Sequence, residues 1–284
     1  MCVAAFLWNP GASEPLLLAA NRDEFRARPS APLARWPEGD LVGGRDLESG
    51  GTWLAVAPRD DGQTLRFGLV TNIRNPAFRK PGAPSRGLLL PDFLRGAYSP
   101  MTHLHDIASS AGEYEGFNLL VGEIGPGGAS LAFLNSLEGR PRLLAAGLYA
   151  VSNASLDTPW PKVVRLRQAL AHARAEREPS RRELRLLRAL ANRQCAPDSE
   201  LPRTGVPIEW ERTLSSVFID RPEYGTRAST VITIEASGRV AMLERTWHPD
   251  GSFTDARASL PPWTQSSRHL RHPETETGSS RNRS

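Results

Sequence analysis

The sequence predicts an α+β fold built on antiparallel sheets. Short apolar runs separated by turn residues fill the first half of the chain, helical patterns follow, and further short apolar runs come near the end. Strands grouped in this way favour antiparallel pairing over alternating βαβ units. With 284 residues, 39% of them hydrophobic and 23% charged, the chain has the composition of a soluble globular protein.

The first two strands are predicted from the apolar runs 3–8 and 16–20, which flank the sequence NPGASEP. Asn-Pro-Gly between apolar runs is typical of a hairpin, so we expect these strands to pair. The runs 229–235 and 239–245 predict a second hairpin across Ala-Ser-Gly. Other strands are predicted at 52–57, 66–72, 117–122, 130–135 and 215–219.

Helices are predicted between the two groups of strands. Ser85 and Ser99 are suitable N-cap residues for helices that begin directly after them. Residues 161–177 repeat apolar residues at three- and four-residue spacing, which is typical of an amphipathic helix. Ser180 and Glu183 have the spacing of a capping box ahead of the run LRLLRAL.

Composition also predicts the domain organisation and excludes several classes of protein. Residues 1–263 are predicted to form a single domain, and the polar stretch 264–284 a disordered tail. The apolar runs at the start have five or six residues, whereas a membrane span needs about 20, so we expect no membrane insertion. Lack of a secretory signal and only two cysteines favour a cytoplasmic protein.

The net charge of +4 is spread along the chain, and a nucleic-acid partner requires clustered positive charge. RNA binding is therefore the least supported function, and we expect no nucleic-acid partner. None of the six histidines lies in a C-x-x-C-H pattern, and His103 and His105 fall on different faces of a predicted helix. Surface or core roles are therefore favoured over haem ligation, and no metal-binding residue is predicted.

Cys2 is the first candidate functional residue. Removal of Met1 would leave a thiol and an α-amine on the same residue. The thiolate is the nucleophilic form, and an α-amine with a pKa of about 7.7 can act as its base at neutral pH. The alternative is a small apolar residue at the start of a buried strand.

Asn21, Arg22, Asp23 and Glu24 follow the second apolar run. In a strand, Asn21 and Asp23 point to one face and Arg22 and Glu24 to the other. The predicted hairpin brings all four close to Cys2. There Asp23 would orient the charged terminus and Arg22 would bind a carboxylate or phosphate. A surface salt-bridge cluster is the alternative.

Two asparagines and a glycine-rich loop complete the set of candidates. Asn72 and Asn153 end predicted strands, where their amides suit an oxyanion hole or simply form turns. Residues 43–54 hold four glycines and Arg45, and glycines let the backbone approach a ligand closely. This loop lacks the residue order of a P-loop.

Together these stretches resemble the NRDE protein family, which includes the transport and Golgi organisation proteins. The resemblance covers nearly the whole chain to residue 247. It is carried by MC at the start, NRDE at 21–24, GGRD and SGGTWL within 43–54, TNIRNP at 71–76, SRG at 85–87, FNLLVG at 117–122, SNASLDTPWPKV at 152–163 and YGTRASTVI at 224–232.

The NRDE family is similar in turn to N-terminal nucleophile (Ntn) hydrolases of the penicillin-acylase and bile-salt-hydrolase kind. The resemblance implies their four-layer αββα sandwich and Arg227 as a late active-site arginine. Their earlier arginine falls near Ala20, whereas Arg22 lies two positions on. The implied catalytic residues are the nucleophile Cys2, Asp23 beside the terminal amine, and the oxyanion donors Asn72 and Asn153.

Two functions stay open, and both have a small-molecule partner. In the first, Cys2 hydrolyses an amide or thioester without a required cofactor, and Arg22 or Arg45 holds an anionic group. In the second, the same pocket carries haem or acyl-CoA, to which the resemblance links the family, without cleaving it. The candidate ligand-binding residues are Asn21, Arg22, Glu24, Arg45 and Arg227.

Overall fold

The computed structural model describes residues 2–76 and 80–263, so the predicted tail 264–284 lies outside the described residues. The described strands are β1 (Cys2–Trp8), β2 (Leu16–Phe25), β3 (Ser30–Arg35), β4 (Val42–Asp46), β5 (Leu54–Pro58), β6 (Leu65–Asn72), β7 (Phe117–Gly125), β8 (Gly128–Asn135), β9 (Arg142–Leu143), β10 (Gly147–Val151), β11 (Tyr224–Ile234), β12 (Val240–Trp247) and β13 (Phe253–Leu260). The described helices are α1 (Leu89–Arg95), α2 (Pro100–Ser110), α3 (Pro161–Ala173), α4 (Pro179–Leu190) and α5 (Ile208–Leu214).

These strands form two antiparallel sheets, which confirms the predicted α+β class. One sheet has the order β10-β1-β2-β11-β12-β13, and the other runs from β3 to β9 in sequence order. Both predicted hairpins are confirmed. Trp8 stands opposite Leu16 in the β1–β2 pair, and Ile234 stands opposite Val240 in the β11–β12 pair.

Alternate residues of β1 face the two sides of the six-stranded sheet, as the period of a strand requires. Phe6 and Trp8 belong to the apolar core between the sheets, where the Trp8 ring lies 6.2 Å from the Phe67 ring of β6. Val3 and Ala5 point the other way and pack in a second core with α3 and α4. The outer face of this sheet is therefore covered by those two helices.

Helices α1 and α2 cover the outer face of the seven-stranded sheet. Phe67 faces the other sheet, whereas Arg66 next to it reaches α1 and donates to the carbonyl of Phe93 at 2.8 Å. Gly68 gives α1 room, because an added Cβ there would lie 2.5 Å from the Leu90 side chain. The layers thus follow the order helix, sheet, sheet, helix.

Two of the predicted local elements were wrong. Residues 215–219 form turns and bends rather than a strand. Side chains of other elements hydrogen-bond to the backbone of this segment. For example, the Asn21 amide donates to the Val217 carbonyl at 2.9 Å. At the start of α4, the capping residue is Glu178 and not Ser180. The Glu178 carboxylate accepts hydrogen bonds from the backbone N–H groups of Ser180 and Arg181.

The starts of the other two predicted helices follow the sequence more closely. Ser99 caps α2 as predicted, and its hydroxyl accepts from the Thr102 N–H at 3.2 Å. Ser85 caps a short 3-10 turn, Arg86–Leu88, which precedes α1. None of the helices in the described ranges has both the length and the apolar character required to cross a membrane.

Candidate active site

Cys2 is the first residue of β1 and stands opposite Arg22 of β2. Directly opposed residues share one face of a sheet, so the thiol and the guanidinium both face the space between the sheets. They line a cavity of about 100 Å³. Arg22, Asp23 and Glu24 line the same cavity, as the predicted hairpin implied, whereas Asn21 does not. The charged residues lining the cavity are Arg22, Asp23, Glu24, Arg28, Asp46 and Arg86.

Arg22 is held in place by a carboxylate and a ring. Its Nη2 donates to Asp46 Oδ2 at 2.8 Å, and the guanidinium carbon lies 4.6 Å from the centre of the Trp53 ring. Arg28 donates to the same Asp46 oxygen at 2.6 Å. Nη1 of Arg22 is buried and has no hydrogen-bond partner within the described part of the chain. Arg22 thus retains a donor that can serve a ligand oxygen.

The environment of Cys2 disfavours its thiolate. Burial raises the pKa of the Cys2 thiol, and the Asp23 carboxylate acts in the same direction. The Arg22 guanidinium partly offsets them by favouring the charged form. A nucleophilic thiolate at this position therefore depends on nearby cations and on a base.

Asn21 lies on the sheet face opposite to Arg22, as the predicted alternation requires. Its amide nitrogen donates to the carbonyls of Leu190 at 2.8 Å and Val217 at 2.9 Å, and its oxygen accepts from the Ser229 hydroxyl at 2.7 Å. Its hydrogen-bonding groups are thus committed to joining β2 to the end of α4 and to β11. This position is structural and lies away from the cavity.

Asp23 is buried near Lys162, the second residue of α3. Its Oδ1 accepts from the Thr226 hydroxyl at 2.7 Å. Burial raises the pKa of the Asp23 carboxyl, and the Lys162 ammonium opposes that shift. Lys162 is fully buried, and burial lowers its pKa to about 8 against the opposing effect of Asp23. The two groups form a buried pair of opposite charge close to Cys2.

Asn72 and Asn153 are brought together, and they occupy different positions relative to the cavity. Asn72 lines the cavity. Asn153 is not among the described lining residues, and its amide nitrogen donates to the Asn72 carbonyl at 2.9 Å. The Asn153 side-chain oxygen accepts from Lys162 Nζ at 3.2 Å. Asn153 therefore links the end of β6 to the start of α3.

The remaining three predicted ligand-binding residues are dispersed. Glu24 lines the Cys2 cavity. Arg45 instead pairs with Glu38 at 3.0 Å and stacks on a tryptophan ring. Arg227 donates to three backbone carbonyls in the segment 25–28. Neither of these two arginines is among the described residues that line the Cys2 cavity.

A second cavity, of about 740 Å³, adjoins the first and shares Glu24, Arg28, Asn72 and Arg86 with it. Arg74 also lines it and pairs with Glu211 at 3.0 Å in a buried ion pair. The described part of the chain contains no group of three side chains suited to a metal ion. The apolar wall of the second cavity comprises Phe25, Ile73, Pro76, Pro81, Val206, Pro207, Trp210, Leu214 and Tyr224.

The sequence analysis missed three charged residues of this region, Arg74, Arg86 and Lys162. Arg74 and Arg86 lie in motifs that carried the family resemblance, TNIRNP and SRG, but received no role. Lys162 had a signal of its own, because the chain holds 35 lysines and arginines and only two of them are lysine. A lysine in the first turn of a helix was a further signal, since the helix dipole disfavours it.

Comparison with known proteins supports the family resemblance over nearly the whole chain. A family model described as Transport and Golgi organisation 2 matches residues 1–249. A "Transport and Golgi organization protein 2 homolog" of Bos taurus is 33% identical over 263 residues, covering 86% of this chain and 92% of the relative. The Mus musculus homolog is 30% identical with the same coverage, and the Drosophila melanogaster protein is 30% identical over 268 residues, covering 87% and 92%. The chain therefore belongs to the Transport and Golgi organisation 2 family, as its NRDE motifs implied.

Proposed function

We propose that the chain is an Ntn-hydrolase-like enzyme in which Cys2, freed by removal of Met1, hydrolyses an amide or a thioester. The observation that carries the proposal is the position of Cys2 in a cavity wall that it shares with Arg22 and Asn72. Two antiparallel sheets between helix layers add support, because the resemblance to Ntn hydrolases implies the same order of layers.

The reaction has two balanced steps. The Cys2 thiolate attacks the carbonyl carbon, an acyl thioester forms on Sγ, and the carbon–nitrogen or carbon–sulfur bond of the substrate breaks. The Cys2 α-amine takes the thiol proton and delivers it to the leaving amine or thiol. Water then attacks the thioester, which releases a carboxylic acid and restores the thiol.

The surrounding residues have separate roles in this proposal. Asn72 donates to the oxyanion, since it lines the cavity, while Asn153 fixes the Asn72 backbone. Asp23 orients the α-amine. Arg22 and Arg86 bind an anionic group of the substrate, because guanidinium groups pair well with carboxylates and phosphates.

Cys2→Ala and Cys195→Ala are a matched pair for testing this proposal, because Cys2 is buried and Cys195 is exposed. Intact mass of the purified protein first establishes whether Met1 is removed. Turnover of a panel of N-acyl amides and acyl thioesters is then expected to be lost in Cys2→Ala and kept in Cys195→Ala.

Two results would contradict hydrolysis by Cys2. One is undiminished turnover by a folded Cys2→Ala variant. The other is a wild-type protein that cleaves no member of the panel and whose Cys2 reacts with iodoacetamide at a pH of about 6.5 no faster than a model thiol.

Carriage of haem or acyl-CoA is the second candidate function, and the larger cavity is the observation that favours it. Its volume of about 740 Å³ lies in the range of small-molecule sites. Apolar walls and Arg74 and Arg86 suit a ligand with an apolar body and an anionic group. The described residues that line it include no histidine, cysteine or methionine, so haem would receive no axial ligand from those residue types.

Binding by a folded Cys2→Ala variant separates carriage from hydrolysis. We expect a carrier to retain an acyl-CoA in this variant and to lose affinity when Arg86→Gln is added. Arg45→Gln is the matched control, because Arg45 lies outside both cavities. An unchanged haem absorbance spectrum on adding the protein, together with no retention of acyl-CoA, would contradict carriage.

A further inference from the structure

We propose that the outward side of α4, together with the segment that precedes it, binds the surface of a membrane that contains anionic lipids. The arginines that form this surface, named here the basic face, are Arg174, Arg177, Arg181, Arg185 and Arg188. In such a complex the helix lies on the lipid headgroups without crossing the bilayer. The proposal goes beyond the proposed function and does not depend on the chemistry of the thiol.

Positive charge occurs along much of the chain, but it is densest in residues 161–193. This stretch covers α3, α4, the segment between them and three further residues, and it holds ten lysines and arginines against three acidic residues. The whole chain has 35 basic and 31 acidic residues, so acidic residues are in slight excess outside the stretch. A local excess of one charge in a nearly balanced protein indicates a surface that attracts the opposite charge.

Helix α4 is amphipathic, and its two sides are well separated. Its buried side consists of Leu186, Leu187 and Leu190, which belong to the core outside the six-stranded sheet. Arg181, Arg185 and Arg188 are exposed, and their spacing of four and three residues places them on one side of the helix. The side chain of Arg181 is 76% exposed and that of Arg185 is 58% exposed. These guanidinium groups are therefore accessible to a large partner.

The three acidic residues of the stretch only partly offset this charge. Glu183 pairs with Arg257 of β13 at 2.9 Å and is thus engaged outside the basic face. Glu176 and Glu178 pair with arginines of the face at 3.1 and 3.8 Å. Three arginines of the face form no ion pair with a carboxylate in the described ranges, namely Arg174, Arg177 and Arg188. The basic face therefore keeps a net positive charge.

An exposed leucine among the arginines favours a lipid surface over a nucleic acid. Leu184 is 45% exposed, and it lies on the same side of α4 as Arg181, three residues before it, and Arg188, four residues after it. On a bilayer its side chain can enter the apolar region while the arginines bind lipid phosphates. Residues 161–193 contain no Phe, Tyr or Trp, so they lack the rings on which unpaired bases stack. Basic clusters on an amphipathic helix are typical of binding to anionic lipids.

The test measures sedimentation of the full chain with lipid vesicles. Vesicles of phosphatidylcholine alone are compared with vesicles that also contain about 30% phosphatidylserine, at about 0.15 M salt. We expect binding only to the vesicles with phosphatidylserine. This binding should be lost at about 0.5 M salt, because salt screens the attraction between exposed charges.

The first variant removes charge from the basic face by Arg181→Gln, Arg185→Gln and Arg188→Gln. Glutamine is a good helix former, so we expect the variant to fold, and its melting temperature checks this. Its partition coefficient onto the phosphatidylserine vesicles should fall by about tenfold or more, because each arginine near an anionic surface strengthens binding. Lysine at the same three positions keeps the charge and should retain the binding.

The matched control removes the same charge from other places by Arg140→Gln, Arg203→Gln and Arg239→Gln. These three arginines are exposed and lie outside the basic face. The control should therefore bind like the wild type, whereas a protein attracted only by its net charge would lose affinity equally in both glutamine variants.

Three results would overturn the proposal. The first is a wild-type protein that does not bind phosphatidylserine vesicles at about 0.15 M salt. The second is a folded basic-face variant that binds them as well as the control does. The third uses a labelled RNA hairpin of about 20 nucleotides. Binding to this hairpin that the basic-face substitutions abolish, in a protein that does not bind the vesicles, would assign the face to a nucleic acid instead.

Discussion

At the scale of single residues, the buried polar side chains near the site differ in how well their burial is compensated by hydrogen bonds and opposite charges. Asn21 satisfies its hydrogen-bonding groups from α4, β11 and the segment between them. Lys162 is fully buried, donates to the Asn153 side chain, and has Asp23 as the carboxylate that most favours its charged form. We therefore expect Lys162 to reduce stability at neutral pH, and the size of that reduction depends on pH.

Lys162→Met should change how the free energy of unfolding depends on pH. Burial lowers the pKa of Lys162 from 10.5 to about 8. Between these values the unfolded chain binds more protons than the folded one, so the contribution of Lys162 to stability rises with pH. A shift of this size corresponds to about 3 kcal/mol over the whole window. We would measure the free energy of unfolding with guanidinium chloride at pH 7.5, 9 and 10.5. The value for the wild type should rise relative to that for Lys162→Met by about that amount across this range.

Lys80→Met is the control for this titration. It should follow the wild type at each pH, because Lys80 is exposed. A difference between the wild type and Lys162→Met that stays constant with pH would show that Lys162 keeps its proton in the folded state. The lowered pKa, and with it the buried-pair interpretation, would then be wrong.

At the scale of elements, the start of α4 shows that a capping box in the sequence does not decide where a helix begins when a neighbouring residue can cap it. The sequence has a capping box at Ser180 and Glu183, but the helix begins one residue before Ser180, at Pro179. Proline suits the first helical position because it has no N–H to satisfy. Glu178 thereby becomes the capping residue, and its carboxylate accepts from two backbone N–H groups.

Glu178→Ala is expected to lower the thermal stability of the protein more than Ser180→Ala. The first change removes the acceptor for the N–H groups of Ser180 and Arg181, whereas the second removes a hydroxyl that does not cap the helix. Hydrogen bonding from Ser180 lowers the pKa of Glu178, so the difference should persist at neutral pH and disappear as the carboxylate is protonated in acid. Melting temperatures at pH 7 and pH 3 measure this difference. A larger loss of stability in Ser180→Ala than in Glu178→Ala at pH 7 would contradict capping by Glu178 and support the capping box predicted from sequence.

At the scale of the whole molecule, the features predictable from sequence are those that nearby residues determine. The turn sequence between β1 and β2 sets their pairing, and this pairing places Arg22 opposite Cys2. The full length of β2 was not predictable from its apolar run. That strand continues to Phe25 because β11, some 200 residues later in the sequence, pairs with it as far as Tyr224.

The rest of the site depends on contacts between distant segments. Lys162 reaches Asn153 from α3, and Arg86 lines the cavity from the turn before α1. Arg45 and Arg227 have the charge expected of ligand-binding residues, but folding supplies them with partners of their own, Glu38 for one and three backbone carbonyls for the other. Which arginines keep a free donor is decided only when the backbone carbonyls and carboxylates around them are in place.

The described residues are expected to unfold as one unit, because a single apolar core joins the two sheets. Phe67 of β6 lies in this core against Trp8 of β1. Phe67→Ala should cost about 3–5 kcal/mol, and amide hydrogen exchange should show that loss in β1 and β2 as well as in β6 and β7. Leu143→Ala on the edge strand β9 is the control. Leu143 is 59% exposed, so this substitution should change exchange in neither sheet.

Faster exchange confined to the seven-stranded sheet would instead mean that the sheets unfold separately, against the predicted single domain 1–263. The site between them would then lie at a boundary between two folding units, where Cys2 and Asn72 could separate while each sheet stayed intact.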